Sequence, residues 1–247
     1  MIPNPIHKVL STMHSRQVRC LLMGGQACVL YGAAEFSRDT DIAVLADSHN
    51  FECLLSAIAD LQAECIAVPP PQLIYLQNGH ALHFRCHHQD VEGMRIDVMS
   101  KMRGLDEFHE LWNRRTTIEL EDGFAVDLLC VSDLVQAKKT QRDKDWPMIR
   151  RLLENHYLQN RNDPSSERVR FWLLEMRTPI LLEEVVKQYP AEATKLATRR
   201  TALSAALRQD NALLNNMLLK EETEEREKDR LYWEPLRREL ESLRHEG

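Results

Sequence analysis

The sequence predicts an α+β protein, with a mixed β-sheet and flanking helices followed by an all-helical region. Three observations carry this expectation. Short apolar runs bounded by turn residues occupy the chain up to about residue 130. Beyond it, apolar residues recur at helical spacing. Glycine is scarce, at 8 of 247 residues, which disfavours all-β barrels built on tight turns. We expect a sheet domain over residues 1–160 and a helical domain over 161–247, with Asn160–Asp163 as the linker.

Each element has a local reason. Val18–Met23 is a short apolar run stopped by Gly24-Gly25, and reads as a buried strand. Gln26–Tyr31 reads as a helix and Asp41–Leu45 as a second strand. Between Asn50 and Glu64, Phe51, Leu54, Leu55, Ile58 and Leu61 form one helical face. Pro69-Pro70-Pro71 forbids regular structure. Ala81–His88 and Met94–Met99 flank a turn and predict an antiparallel hairpin, as do Thr116–Leu120 and Phe124–Leu129 around Glu121-Asp122-Gly123. Val131-Ser132-Asp133 opens a helix running to about Tyr157. Asp163-Pro164 and Thr178-Pro179 are helix starts, and a third helix begins near Pro190. The tail from Lys220 to Glu246 is rich in Glu, Lys and Arg and reads as a solvated helix laced with i,i+4 pairs.

A formal charge of −6 gives no general attraction to nucleic acid or an anionic membrane, so any polyanion site must be a local patch. Lys138–Arg170 is such a stretch, with nine Lys or Arg against five Asp or Glu. The six cysteines show no CxxC pair and read as reduced thiols of a cytoplasmic protein. The apolar run Cys20–Ala34 is shorter than the ~20 residues of a membrane span, and the N-terminus lacks signal-peptide features.

The chemistry concentrates in LLMGGQACVLYGAAEFSRDTDIAVL. A strand that delivers Gly24-Gly25 into a helix start exposes backbone N–H groups where a phosphate can sit. Asp39 and Asp41, two apart on a strand, project to one face. Carboxylates held that close repel unless a cation lies between them, and hard oxygen ligands suit magnesium. Asp97, between Ile96 and Val98 in an apolar strand, needs a partner to offset its burial. Beside Asp39 and Asp41 it would complete a two-metal site. His83, His87, Cys86 and His88 divide between two strand faces and read as ordinary strand residues. The four tryptophans read as packing anchors.

Gly24-Gly25, then Asp39-x-Asp41, then Asp97 on a later strand resembles the DNA polymerase beta-type nucleotidyltransferase superfamily. The helix SDLVQAKKTQRDKDWPMIRRLL is similar to the Lys-rich helix of AbiE-type abortive-infection toxins and related small bacterial nucleotidyltransferases. One departure is Glu35, where many relatives carry arginine. The resemblance covers about residues 18–155 and implies a nucleotidyltransferase-type sheet. It also implies magnesium-dependent transfer of a nucleoside monophosphate from an NTP, such as ATP, to a hydroxyl acceptor. Two Mg²⁺ ions, with Mn²⁺ as an alternative, would be held by Asp39, Asp41 and Asp97. Gly24, Gly25, Ser37 and Arg38 would hold the nucleotide, with Lys138 or Lys139 matching a phosphate-contacting lysine and Asp145 the acid that follows it. The acceptor is expected to be tRNA or a protein, in a toxin–antitoxin or phage-defence role, with an antitoxin or other partner at the C-terminal helices. The alternatives are an antibiotic nucleotidyltransferase, or a catalytically silent module that binds through its helical C-terminus.

Overall fold

Alternating apolar residues build the sheet in the computed structural model, which describes residues 4–37, 39–120 and 123–246. Its strands are β1 (Cys20–Met23), β2 (Asp39–Val44), β3 (Glu64–Cys65), β4 (Leu82–Arg85), β5 (Arg95–Met99), β6 (Thr116–Glu119) and β7 (Ala125–Leu128). They form one mixed sheet in the order β3-β4-β5-β2-β1-β7-β6. β2 runs parallel to β5 and β1 parallel to β7, while the other neighbours are antiparallel. Thr40 and Ile42 of β2, Ile96 and Val98 of β5, and Leu82 and Phe84 of β4 are buried. Asp39, Asp41, His83, Arg95 and Asp97, which alternate with them, stay partly open and make a polar face.

Helices α1 (Asn4–Ser15), α2 (Gly24–Leu30), α3 (Ser48–Asp60), α4 (Leu73–Asn78), α5 (Phe108–Asn113) and α6 (Val131–Ala137) accompany the strands. Asp47 caps α3 by accepting from Asn50 N at 2.7 Å. The buried Asn50 amide in turn ties Arg19 ahead of β1 to Leu45 after β2. α3 stops at Asp60, short of the expected Glu64, because Gln62 turns at φ 49° and Glu64–Cys65 joins the sheet as β3. Both expected hairpins form, as β4–β5 and β6–β7.

The later helices are α7 (Asp145–Asn160), α8 (Ser166–Glu175), α9 (Pro179–Gln188), α10 (Pro190–Leu196), α11 (Ala202–Leu207) and α12 (Asn211–Glu246). The helix expected from Val131 to Tyr157 is broken between Ala137 and Asp145. There the Asp145 carboxylate accepts from Lys138, Thr140 and Arg142 side chains, and Trp146 Nε1 donates to Thr140 O at 2.9 Å. α8 is capped by Ser165 rather than Asp163, whose backbone and carboxylate oxygens are taken by Arg168. The single helix expected from Pro190 is three, since Arg200 is buried against the Leu173 and Met176 carbonyls and Gln209 turns at φ 55°.

Among the described residues the chain divides into two compact units. One takes residues up to Leu30, Ala34–Ala137 and those from Tyr232 on; the other takes Tyr31–Ala33 and Lys138–Leu231. The boundary expected near residue 160 therefore lies inside the second unit. Tyr31–Ala33 joins that unit through Asn155 Nδ2, which donates to the Tyr31 and Gly32 carbonyls. The second unit packs around Trp146, Tyr157 and Trp172, all fully buried, with the last two rings edge to face at 5.1 Å. No helix among the described residues is long and apolar enough to cross a membrane.

Candidate active site

Strand register decides which acids meet. Across the parallel β2–β5 pair, Asp41 stands opposite Asp97 and Asp39 opposite Arg95. Neighbouring strands lie about 4.8 Å apart and residues two apart on a strand, about 6.6 Å, share a face, so these four make a rectangular array. On the other side of β5, His83 of β4 is the register partner of Asp97. Three carboxylates, one guanidinium and one imidazole thus share a patch of the sheet's polar face.

The Gly-Gly pair closes onto this patch. β1 ends at Met23, the register partner of Asp41, and the chain turns at once into α2. Gly24 makes that turn at φ +67°, and a Cβ there would stand 1.7 Å from Asp41 Oδ2. Gly25 N donates to the same oxygen at 3.3 Å. A Cβ on Gly25 would stand 2.6 Å from Ser37 Oγ, which itself donates to Asp39 O at 3.2 Å. Both glycines are needed for the backbone to approach the carboxylates and the Ser37 loop so closely. Gly24, Gly25, Ser37, Asp39, Asp41 and Asp97 are therefore brought together; Arg38 lies outside the described residues.

Asp97 is the best-anchored acid. Its Oδ1 lies 2.8 Å from His83 Nδ1 and accepts from Arg95 Nε at 2.8 Å. Burial pushes the Asp97 carboxyl up, but the bonds from His83 and Arg95 outweigh it and hold it below the usual carboxylate range. Arg95 is raised in turn, first by its hydrogen bond to Asp97 and then, against burial, by the charges of Asp97, Asp39 and Asp41. Both bonds fall on Oδ1, so Oδ2 carries none among the described residues.

The donor set suits a hard cation: three carboxylates at adjacent register positions, with an oxygen of Asp97 to spare. They are aligned rather than drawn to one point. Among the described residues, no three His, Cys, Asp or Glu side chains converge tightly enough to hold an ion as they stand.

Lys138, Lys139 and Asp145 belong to the second unit, where they are buried in ion pairs. Lys138 Nζ donates to Asp145 Oδ1 at 3.0 Å, and Lys139 Nζ to Glu175 Oε1 at 2.9 Å. With Thr140 and Arg142 also on its carboxylate, Asp145 fastens the break between α6 and α7. Buried pairing of this kind is what a structural anchor needs. His83 and Arg95 are the residues that sequence reasoning passed over. The expected hairpin held the signal, since pairing 81–88 with 94–99 sets a histidine beside Asp97. In comparisons with known proteins, no family model matches the chain and no curated protein is similar enough to count as a relative.

Proposed function

We propose that the chain is a nucleotidyltransferase of the polymerase beta type, moving a nucleoside monophosphate from an NTP to a hydroxyl acceptor on tRNA or a protein. The observation that carries this reading is the β2–β5 register, which sets Asp41 beside Asp97 with Asp39 two residues away. Asp39 and Asp41 would hold two magnesium ions and Asp97 one of them. Magnesium, when bound, neutralises the polyphosphate and favours the ionised acceptor. Gly24 and Gly25 let the backbone close onto Asp41 and Ser37, and the triphosphate would lie beside that turn. His83 and Arg95 occupy Oδ1 of Asp97 and keep its carboxylate ionised, so Oδ2 would be the oxygen that holds the ion, and its charge would help the acceptor lose its proton to water. The acceptor oxygen then bonds to the α-phosphorus, the bridging P–O bond breaks, and pyrophosphate leaves. A role in phage defence or a toxin–antitoxin pair accords with the sequence resemblance.

A second reading, a silent module of the same fold, is favoured by the same His83–Asp97–Arg95 cluster, in which Asp97 is charge-compensated by protein groups alone. One experiment separates the two. The protein is incubated with each radiolabelled NTP, magnesium and total tRNA or lysate, beside an Asp39→Ala, Asp41→Ala variant. Label transfer is expected in the wild type and its loss in the variant. Transfer that survives the double substitution overturns the mechanism, and absence of both transfer and calorimetric Mg–NTP binding establishes the silent module.

A further inference from the structure

The second unit holds a cavity of about 140 Å³ at the start of α9, lined by Arg150 of α7, Arg177, Pro179, and Leu218 and Glu222 of α12. Three independent features there call for an anion. The first is the helix end itself. Thr178 is the N-cap of α9, but its hydroxyl donates to Glu154, and no side chain caps the first turn. Pro179 at the first position has no N–H, so the helix start offers the N–H groups of Ile180 and Leu181 and its dipole, which favour a negative charge.

The second feature is Arg177, whose side chain is only 8 % exposed. Its two Nη groups reach Glu221 and Glu175, but its Nε is buried with no acceptor among the described residues. A buried, unsatisfied donor on a charged group is costly to leave unpaired. The carboxylates it does reach are shared: Glu221 also accepts from the buried Arg200, and Glu175 from Lys139. Burial and then the charge of Arg177 hold the Arg200 guanidinium below its ordinary value, so the two arginines oppose one another here. The third feature is Arg150, which spends Nη2 on Glu222 at 2.7 Å and has no other bond among the described residues. Glu222, the acid in the lining, also accepts from Arg226 at 2.7 Å, so its charge is compensated.

We propose that this cavity binds a phosphate group, free or as a phosphomonoester, between the start of α9 and the guanidinium groups of Arg177 and Arg150. A tetrahedral oxyanion can meet donors from three directions at once, which a planar carboxylate cannot. The cavity is large enough for a phosphate and for part of the group that carries it. The site rests on residues of the second unit alone and is independent of the reading of Asp39, Asp41 and Asp97.

The test titrates the full chain with inorganic phosphate in EDTA, by calorimetry and by thermal unfolding. Saturable binding with a raised Tm is expected. Arg150→Gln, whose side chain is 39 % exposed and which spares the buried cluster, should weaken binding about tenfold, the value of one charge-assisted hydrogen bond. Arg177→Gln should abolish binding if it folds, and circular dichroism checks that it does. The exposed Arg199→Gln should bind as the wild type. Acetate at equal ionic strength should bind far more weakly. No saturable binding, equal binding of acetate, or an Arg150→Gln affinity equal to that of Arg199→Gln would each overturn the proposal.

Discussion

Gly24 sits at φ +67°, and any β-carbon there would overlap the carboxylate of Asp41. An alanine must pay for both the left-handed backbone and the clash, each worth roughly 1–3 kcal/mol. Gly24→Ala is therefore expected to lower unfolding free energy by about 2–4 kcal/mol in urea titration, while Gly93→Ala, also at positive φ but with nothing within 4 Å, should lose only the backbone share. An equal loss in the two variants would show that the contact with Asp41 carries no weight. Single residues were readable from the sequence where the chemistry is local. A Gly-Gly pair after an apolar run and an Asp-x-Asp at strand spacing announce themselves. His83 did not, because its significance lies in a cross-strand partner rather than in its neighbours.

At the scale of elements, the seven residues between α6 and α7 show side chains overruling helical periodicity. Asp145 is fully buried and gathers Lys138, Thr140 and Arg142, of which a continuous helix would leave Lys138 and Thr140, seven and five residues back, out of reach. Burial raises the Asp145 carboxyl, but Lys138, Thr140 and Arg142 prevail and hold it below its ordinary value. A carboxyl lowered on folding stabilises the fold above its unfolded pKa of about 4 and loses that contribution as pH falls through the folded value. Asp145→Asn should thus cost about 3 kcal/mol at neutral pH, as removal of one member of a buried pair does. Its loss of stability below pH ~4 should be shallower than the wild type's. Denaturant titrations from pH 7 to 3 check both, and parallel curves would show that Asp145 does not govern the acid limb. Periodicity foresaw a helix on both sides of this break, since Leu134, Ile149 and Leu152 keep helical spacing. It could not foresee the break, which is made by charges meeting in the interior.

At the scale of the molecule, a net charge of −6 conceals a patch where Asp39, Asp41 and Asp97 share a face of the sheet with Arg95. A cation that binds this patch only in the folded chain must stabilise the whole fold by mass action, by about 2.7 kcal/mol at a hundred times its Kd. Magnesium should accordingly raise the Tm of the wild type and leave that of the Asp39→Ala, Asp41→Ala variant unmoved; equal shifts in calorimetry would place the effect elsewhere. The sequence reads as two domains, cut near residue 160. The folded chain instead gives Tyr31–Ala33 to the helical unit and divides α12 between the two at Leu231 and Tyr232. What the sequence by itself determined was the α+β class, both hairpins and the placing of Asp39 and Asp41 two apart on one strand, because alternation, turn residues and residue spacing are local properties. Only the tertiary structure decided that Asp41 lies beside Asp97, that His83 and Arg95 hold Asp97, and that Lys138 is spent on Asp145. Those are matters of register and of charges meeting in the interior, and they depend on which distant segments come to lie side by side.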